Sequence, residues 1–291
     1  MISTSRLIPT LALFISTPAL AGDALYVWRD PLHSGTPVYA GPETDDLVTF
    51  CLSRAITTVY YDNWGDGSTD AGSGRQNDTT LTQIISTLHG AGISVEALYT
   101  DKVHVGDVAA YNTRVGPAAR FDGIRMNFEG PWPGGGSEPT RNSDIRYFAD
   151  AVAAAAGVPL FASISFHWDT PIRYGGSRKA AFSHIQDLVA GVDVQTAQDE
   201  ATVIADISKE EVCYGDTISR PTWVTIETFD VVHELGLKEW NTYYEEGEAA
   251  MMADLSHLTY ITACSGAAAV VEGRAFHFYN RSMGNGGMPG W

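Results

Sequence analysis

Positive charge is scarce in this chain. Lysine and arginine together number 18, against 35 aspartate and glutamate residues, so the 291-residue sequence has a formal net charge of −17. No run of lysine or arginine offsets this imbalance locally, although proteins that bind nucleic acid use such basic surfaces to neutralise phosphates. The sequence therefore predicts no nucleic-acid partner.

Cysteine is also rare. Cys51, Cys213 and Cys264 are the three cysteines, and none has the close C-x-x-C spacing of a zinc site or a redox pair. At most one disulfide can form, and Cys213 with Cys264 is the favoured pair because each belongs to a helical stretch late in the chain. Three buried free thiols remain the alternative. We expect no catalytic cysteine.

Metal-binding histidine patterns are missing. The eight histidines include no H-x-H or H-E-x-x-H arrangement. His167 together with Asp169 could bind a metal, but a single histidine near a carboxylate is more often a hydrogen-bonding residue. We therefore expect no metal ion and no cofactor.

A hydrophobic run long enough to span a membrane is absent as well. The apolar stretch Leu7–Ile15 is shorter than the roughly 20 residues that a span requires, and Pro9 interrupts it. Arg6 precedes this stretch and the A-x-A sequence Ala19-Leu20-Ala21 follows it, as in a secretory signal peptide. We expect residues 1–21 to be removed, and the mature protein to be secreted or periplasmic with no membrane span.

The 44% hydrophobic content is enough for a full core, and the length of residues 22–291 allows one large domain or two small ones. A repeated strand–helix unit along the whole chain favours one domain. Short apolar segments alternate with helix-like stretches, and eight of these segments are predicted strands: Leu25–Arg29, Thr57–Asp62, Ile93–Thr100, Asp122–Glu129, Pro159–His167, Val192–Gln198, Thr222–Phe229 and Arg274–Tyr279. Five of the stretches are predicted helices: Asp78–Gly90, Ser143–Ala156, Ser177–Ala190, Asp199–Cys213 and Tyr243–Ala268.

Eight alternating units favour an α/β fold, a closed (β/α)8 TIM barrel. An open Rossmann-like sheet is the alternative, but no glycine fingerprint follows the first strand. Few residues follow the last predicted strand, so we expect the barrel to lack a regular eighth helix.

Polar residues alternate with apolar ones on the fourth predicted strand. Arg125, Asn127 and Glu129 share the face towards the barrel axis, and the apolar residues between them face the helices. Arg125 is expected to pair with Glu96 of the third strand, because an unpaired buried charge is costly. On the seventh strand, Glu227 also points inwards near the carboxyl end.

Two inward carboxyl groups at one end of a barrel are typical of glycoside hydrolysis, which uses one as a proton donor and the other as a nucleophile or base. Asp, Gln and His side chains can bind sugar hydroxyls, and Trp and Tyr rings can stack on sugar rings. Residues of these types at the strand ends are the candidate substrate-binding residues: Asp62, Trp64, Asp101, His167, Trp168, Asp169, Gln195, His277 and Tyr279.

The segment Phe121-Asp122-Gly123-Ile124-Arg125-Met126-Asn127-Phe128-Glu129 resembles the fourth-strand signature of family 18 chitinase-like glycoside hydrolases, D-G-x-D-x-D-x-E. It is still more similar to that of the family 85 endo-β-N-acetylglucosaminidases, in which the strand ends in Asn-x-Glu. The resemblance covers nine residues and implies that Glu129 is the acid/base. It also implies that Asn127 orients a 2-acetamido group that acts as the nucleophile. Arg125 departs from the chitinase pattern, which has Asp there.

Together these features predict a secreted glycoside hydrolase acting on a polysaccharide or glycan, with Glu129 as acid/base and Asn127 or Glu227 assisting. A noncatalytic carbohydrate-binding barrel is the alternative that Arg125 suggests. A third hypothesis is an unrelated barrel enzyme that uses the same carboxylates for proton abstraction, often with a divalent metal.

Overall fold

The computed structural model describes residues 22–28, 42–62, 78–128, 137–232, 236–258, 264, 272–277 and 279. The predicted signal peptide and two candidate site residues, Trp64 and Glu129, lie outside these ranges. In the described part of the chain, no helix is long and apolar enough to cross a membrane.

Eight parallel strands form the sheet: β1 (Asp23–Val27), β2 (Ile56–Tyr61), β3 (Ser94–Tyr99), β4 (Gly123–Phe128), β5 (Leu160–Ser165), β8 (Val192–Gln195), β9 (Thr222–Glu227) and β10 (Gly273–His277). They close into a barrel in the order β1-β10-β9-β8-β5-β4-β3-β2, which confirms the predicted TIM barrel and rules out the open sheet. Each of them overlaps one of the predicted strands.

Helices connect the strands on the outside of the barrel. They are α1 (Pro42–Ser53), α2 (Asp78–Gly90), α3 (Val105–Arg114), α4 (Glu138–Ala154), α5 (Ala181–Leu188), α6 (Ala201–Ile207), α7 (Lys209–Thr217) and α8 (Gly247–Leu255). Helix α2 has the predicted bounds, since Leu81, Ile84, Ile85 and Leu88 form a buried stripe at helical spacing. The absence of a regular helix after β10 stays a prediction, because residues 280–291 lie outside the described part.

Four predicted helices differ from the structure. The helix predicted as Ser143–Ala156 is α4, which begins earlier, at Glu138, and ends at Ala154. The first part of Ser177–Ala190 is strand β7 (Ser177–Ala180), which pairs with β6 (Pro171–Tyr174) in an antiparallel hairpin. The turn of this hairpin consists of Gly175 and Gly176, whose φ angles of 59° and 88° suit glycine.

The stretch predicted as Asp199–Cys213 is two helices, α6 and α7, and the second continues to Thr217. They meet at the buried Ser208, whose hydroxyl donates to the carbonyl oxygen of Ile204. The predicted helix Tyr243–Ala268 is shorter, because α8 starts only at Gly247. The preceding chain is held by the Tyr243 amide, which donates to the Glu227 carbonyl oxygen at the end of β9.

Two separate groups of buried side chains form the core. The larger group lies between the sheet and the helices and includes Ile124 and Met126. The smaller group fills the barrel interior and is rich in aromatic rings: Ala24, Tyr26, Trp28, Tyr60, Leu98, Phe161, Trp223 and Ala275. The predicted alternation on β4 is therefore confirmed for its described residues, since Phe128 packs outwards on Phe148 and Arg125 is inside.

One disulfide connects Cys213 of α7 to Cys264, as the favoured pairing predicted. Cys51 is a free, fully buried thiol in α1. Burial raises the pKa of this thiol to about 12, so it is protonated and unreactive at neutral pH.

Candidate active site

Arg125 lies at the centre of the barrel interior and is completely buried. Its Nε donates to Oε2 of Glu96 at 2.8 Å, which confirms the predicted ion pair. Its Nη1 lies 3.3 Å from Oδ2 of Asp193 on β8. The guanidinium also lies 4.2 Å from the ring centre of Tyr60 and 4.8 Å from that of Phe161, so aromatic faces cover the charge.

Gly123 creates the space for this arrangement. A Cβ atom at position 123 would lie 2.8 Å from Cε2 of Phe161, closer than packed carbon atoms approach. The absent side chain therefore lets the Phe161 ring enter the barrel beside Arg125.

Asp193 accepts hydrogen bonds from several strands. The hydroxyl groups of Tyr26 and Ser163 each lie 2.9 Å from its Oδ2, and the Thr225 hydroxyl donates to Oδ1 at 3.2 Å. Burial raises the pKa of the Asp193 carboxyl, against the opposing effect of Arg125 and these hydroxyl groups. Strands β1, β5, β8 and β9 are thus joined through one carboxyl group.

The two carboxyl groups keep Arg125 charged. Burial alone would lower the pKa of the guanidinium, but Glu96 and Asp193 outweigh that effect and the pKa is raised. Burial raises the pKa of Glu96 in turn, with Arg125 opposing the shift. All charged groups of this cluster are buried inside the barrel, so the role of the cluster is structural.

Asn127 and Gln195 lie above this cluster, at the mouth of the barrel formed by the carboxyl ends of the strands. Nε2 of Gln195 donates to Oδ1 of Asn127 at 2.5 Å. This bond assigns Oδ1 as the acceptor and leaves the Nδ2 amide of Asn127 without a partner among the described residues. A bound molecule with a carbonyl or hydroxyl oxygen could accept from it.

Glu227 and His277 form the second part of the mouth. Oε2 of Glu227 lies 2.7 Å from Nδ1 of His277, and Nε2 of His277 lies 2.8 Å from the indole nitrogen of Trp28. Oε1 of Glu227 accepts from the backbone amides of Thr228 and Phe229, each at 3.0 Å. The carboxylate is therefore fixed at both oxygens and is still partly exposed, at 15%.

Some of the other predicted binding residues have a different role. Trp168 is fully buried and packs outside the barrel against Phe128 and the Arg141 guanidinium, so the expectation that it stacks on a sugar is wrong. Tyr279 is 8% exposed and packs on Phe50 of α1, which leaves little ring surface for a ligand.

Asp101 caps the short 3-10 helix Lys102–His104. Its Oδ1 accepts from the Val103 amide at 2.8 Å and from the Tyr147 hydroxyl of α4 at 3.0 Å. Asp101 therefore stabilises the outer layer of helices. Asp62, by contrast, is buried just after β2 and shares the inward face of that strand with Tyr60.

His167 and Asp169 follow β5 and do not pair with each other in the described contacts. The His167 ring packs on Phe166 with 3.8 Å between ring centres, and burial lowers its pKa. Asp169 interacts with the carboxyl of Glu211 on α7, and burial raises the pKa of both groups. Among the residues that the structure describes, no three His, Cys, Asp or Glu side chains group together as a metal site.

Three residues of the barrel interior and mouth were not predicted from the sequence: Tyr26, Trp28 and Asp193. Asp193 could have been found from alternation, because it lies two positions before Gln195 on the same inward face of β8. Tyr26 and Trp28 share the corresponding face of β1. The hydrogen bond between Trp28 and His277 has no local sequence signal, since 249 residues separate the two.

No protein-family model matches the sequence, and no curated protein does. Solved structures do resemble the fold. A provisionally assigned α-L-fucosidase from Bacteroides thetaiotaomicron VPI-5482 has a TM-score of 0.51 at 13% identity, covering 89% of this chain and 88% of its own. A provisionally assigned chitinase A from Streptomyces coelicolor has a TM-score of 0.50 at 12% identity, covering 89% and 92%.

An endo-β-N-acetylglucosaminidase from Cordyceps militaris is similar at a TM-score of 0.49 and 11% identity, covering 88% of this chain and 80% of its own. At such identities the likeness concerns the fold alone. The chain is thus a TIM barrel.

Proposed function

We propose that this protein is a secreted glycoside hydrolase that cleaves a polysaccharide or glycan containing N-acetylhexosamine, with Glu129 as the general acid/base. The observation that carries the proposal is the Asn127–Gln195 amide pair at the barrel mouth. Asn127 points inwards and Phe128 outwards, and the alternating sequence pattern predicts that Glu129 shares the face of Asn127. Glu129 itself lies outside the described residues, and its role rests on this alternation and on the resemblance of the strand.

A general acid is needed because the leaving sugar oxygen departs as an alkoxide unless it is protonated. In the proposed reaction, Glu129 donates its proton to that oxygen as the glycosidic bond breaks and the acetamido carbonyl oxygen bonds to the anomeric carbon. Water then attacks this carbon, releases the acetamido oxygen and gives a proton back to Glu129.

Asn127 is suited to binding the 2-acetamido group. Its Oδ1 accepts from Gln195, and its Nδ2 can donate to one lone pair of the acetamido carbonyl oxygen, which holds the group beside the anomeric carbon and leaves the other lone pair to attack. Glu227 supplies a second carboxyl group to the same mouth.

Support for a carbohydrate substrate comes from the fold, since the compared barrels with TM-scores of 0.50 and 0.51 carry glycosidase names. The Cys213–Cys264 disulfide agrees with export to an oxidising compartment. Arg125 stands where the chitinase pattern has Asp, and its buried ion pairs with Glu96 and Asp193 give this arginine a structural role.

The direct experiment measures reducing-end release from chitin oligosaccharides, N-glycans and unacetylated glucans by the wild type, Glu129→Gln and Asn127→Ala. Glu129→Gln should abolish release, and Asn127→Ala should reduce it for acetylated substrates only. Glu210→Gln, an exposed change on α7, is the control and should retain full activity. Sugar binding with no release by the wild type would instead establish the noncatalytic carbohydrate-binding barrel.

A further inference from the structure

A chain of three side chains crosses adjacent strands at the barrel mouth. Trp28 follows β1, His277 ends β10 and Glu227 ends β9, and these three strands are neighbours in the barrel. The indole Nε1 of Trp28 lies 2.8 Å from Nε2 of His277, and Nδ1 of His277 lies 2.7 Å from Oε2 of Glu227.

The chemistry of these groups fixes where the protons are. An indole nitrogen can only donate, so Nε2 of His277 must be the acceptor and carries no hydrogen. A neutral imidazole has one N–H, which must then be on Nδ1, and this N–H donates to Oε2 of Glu227.

The other oxygen of Glu227 leads to the same conclusion. Oε1 accepts from the backbone amides of Thr228 and Phe229, and backbone amides never accept through nitrogen. Every described hydrogen bond of the carboxyl group is therefore one that a carboxylate anion accepts. No described partner is positioned to accept a proton from it.

We infer that Glu227 acts as a fixed carboxylate anion and not as a proton donor, and that Trp28 is the positioning residue that maintains it by fixing the tautomer of His277. This inference rests on the proposed function in one respect, because it assigns different catalytic roles to two carboxyl groups. Glu129 moves the proton, and Glu227 stabilises the positive charge that develops at the anomeric carbon.

Ring packing holds Trp28 in the orientation that this role requires. Its indole stacks on Tyr26 with an angle of 19° between the planes. The His277 ring stands edge-on to both rings, at 88° to each. Trp28 is 4% exposed and His277 24% exposed, so the donor is buried and the imidazole lies nearer the mouth.

The first test measures the ¹⁵N chemical shifts of His277 at neutral pH in the wild type, with the signal assigned from its absence in His277→Gln. We expect the neutral Nδ1–H tautomer. The Nε2–H tautomer, or a doubly protonated ring, would overturn the inference. This measurement needs no activity, so it decides the inference even where the wild type cleaves no glycan and the proposed function fails.

The second test is Trp28→Phe, which keeps an aromatic ring and removes the N–H. We expect the Nε2–H tautomer of His277 to become populated, with kcat lower by about tenfold or more and KM changed by less than about threefold. Trp223→Phe is the matched control: Trp223 is also 4% exposed and loses an indole hydrogen bond, to the Gly22 carbonyl oxygen at the other end of the barrel. An unchanged tautomer in a folded Trp28→Phe, or an equal change in Trp223→Phe, would overturn the positioning role.

Discussion

Arg125 donates from Nε to Oε2 of Glu96 at 2.8 Å inside the barrel, where the arginine side chain has no exposure and the glutamate 8%. Because two carboxyl groups face this one guanidinium, removing it leaves buried groups without a cation. Arg125→Met should lower the free energy of unfolding by about 3–5 kcal/mol, measured by urea denaturation.

Arg114→Met is the control for this prediction. Arg114 pairs with Asp78 on the surface, where its side chain is 43% exposed, so its loss should cost under about 1 kcal/mol. Equal losses in the two variants would contradict a structural role for the buried cluster.

Alternation along single strands was enough to predict the pair of Arg125 and Glu96, because the strand period fixes which residues share the barrel interior. It also predicted the inward position of Glu227. It does not determine how far a side chain reaches once the strand has ended. Trp168 and Tyr279 lie beyond the ends of their strands, and both pack in the outer core. Alternation could not predict this packing.

The β6–β7 hairpin shows a different limit of sequence reading. Gly175-Gly176 is a recognisable turn signal, but only the four residues Ser177–Ala180 separate it from the helical pattern of Ala181–Leu188. The predicted helix Ser177–Ala190 therefore includes a strand of only four residues. Short elements are decided by their turn and not by their periodicity.

The buried carboxyl of Glu211 should make stability depend on pH. Burial and the neighbouring Asp169 raise its pKa well above the ordinary value of 4.5, so the folded protein holds this proton more tightly than the unfolded chain. The stabilisation is complete below about pH 4.5 and is lost as the pH rises towards the folded-state pKa.

Urea midpoints measured between about pH 4.5 and 8 test this prediction. The midpoint of Glu211→Gln should fall less with rising pH than that of the wild type, since an amide does not titrate. Glu239→Gln, an exposed change that is not among the groups shifting Glu211, should behave as the wild type. Parallel pH profiles for Glu211→Gln and the wild type would show that Glu211 does not hold this proton.

The Cys213–Cys264 disulfide closes a loop with a sequence separation of 51. Replacing both cysteines with alanine should cost roughly 4 kcal/mol of unfolding free energy. Reductant should lower the melting temperature of the wild type and of Cys51→Ala, and should not change that of the double variant. A response of the double variant to reductant would contradict this assignment.

Trp240 is a candidate contact for the outer part of a glycan. Its ring is 57% exposed, and its carbonyl oxygen accepts from the Asp199 amide after β8. The next residue, Asn241, donates to the Ala197 carbonyl oxygen, so the turn is fixed to the rim of the barrel.

Trp240→Ala should weaken the binding of long oligosaccharides by roughly three- to tenfold and leave short ones unaffected, because only a long chain reaches the ring. Isothermal titration calorimetry measures both. Val103→Ala, at an exposed apolar residue in the short 3-10 helix after β3, is the control. Unchanged affinity of Trp240→Ala for every chain length would exclude this contact.

The role of Glu129 as proton donor is the central claim, and leaving-group dependence tests it most directly. The kcat/KM values of the wild type and Glu129→Gln are compared on a glycoside with a poor leaving group and on its 2,4-dinitrophenyl counterpart, which departs without protonation. Glu129→Gln should lose nearly all activity on the first and keep most of it on the second. Equal losses on both substrates, or no loss on either, would contradict the account.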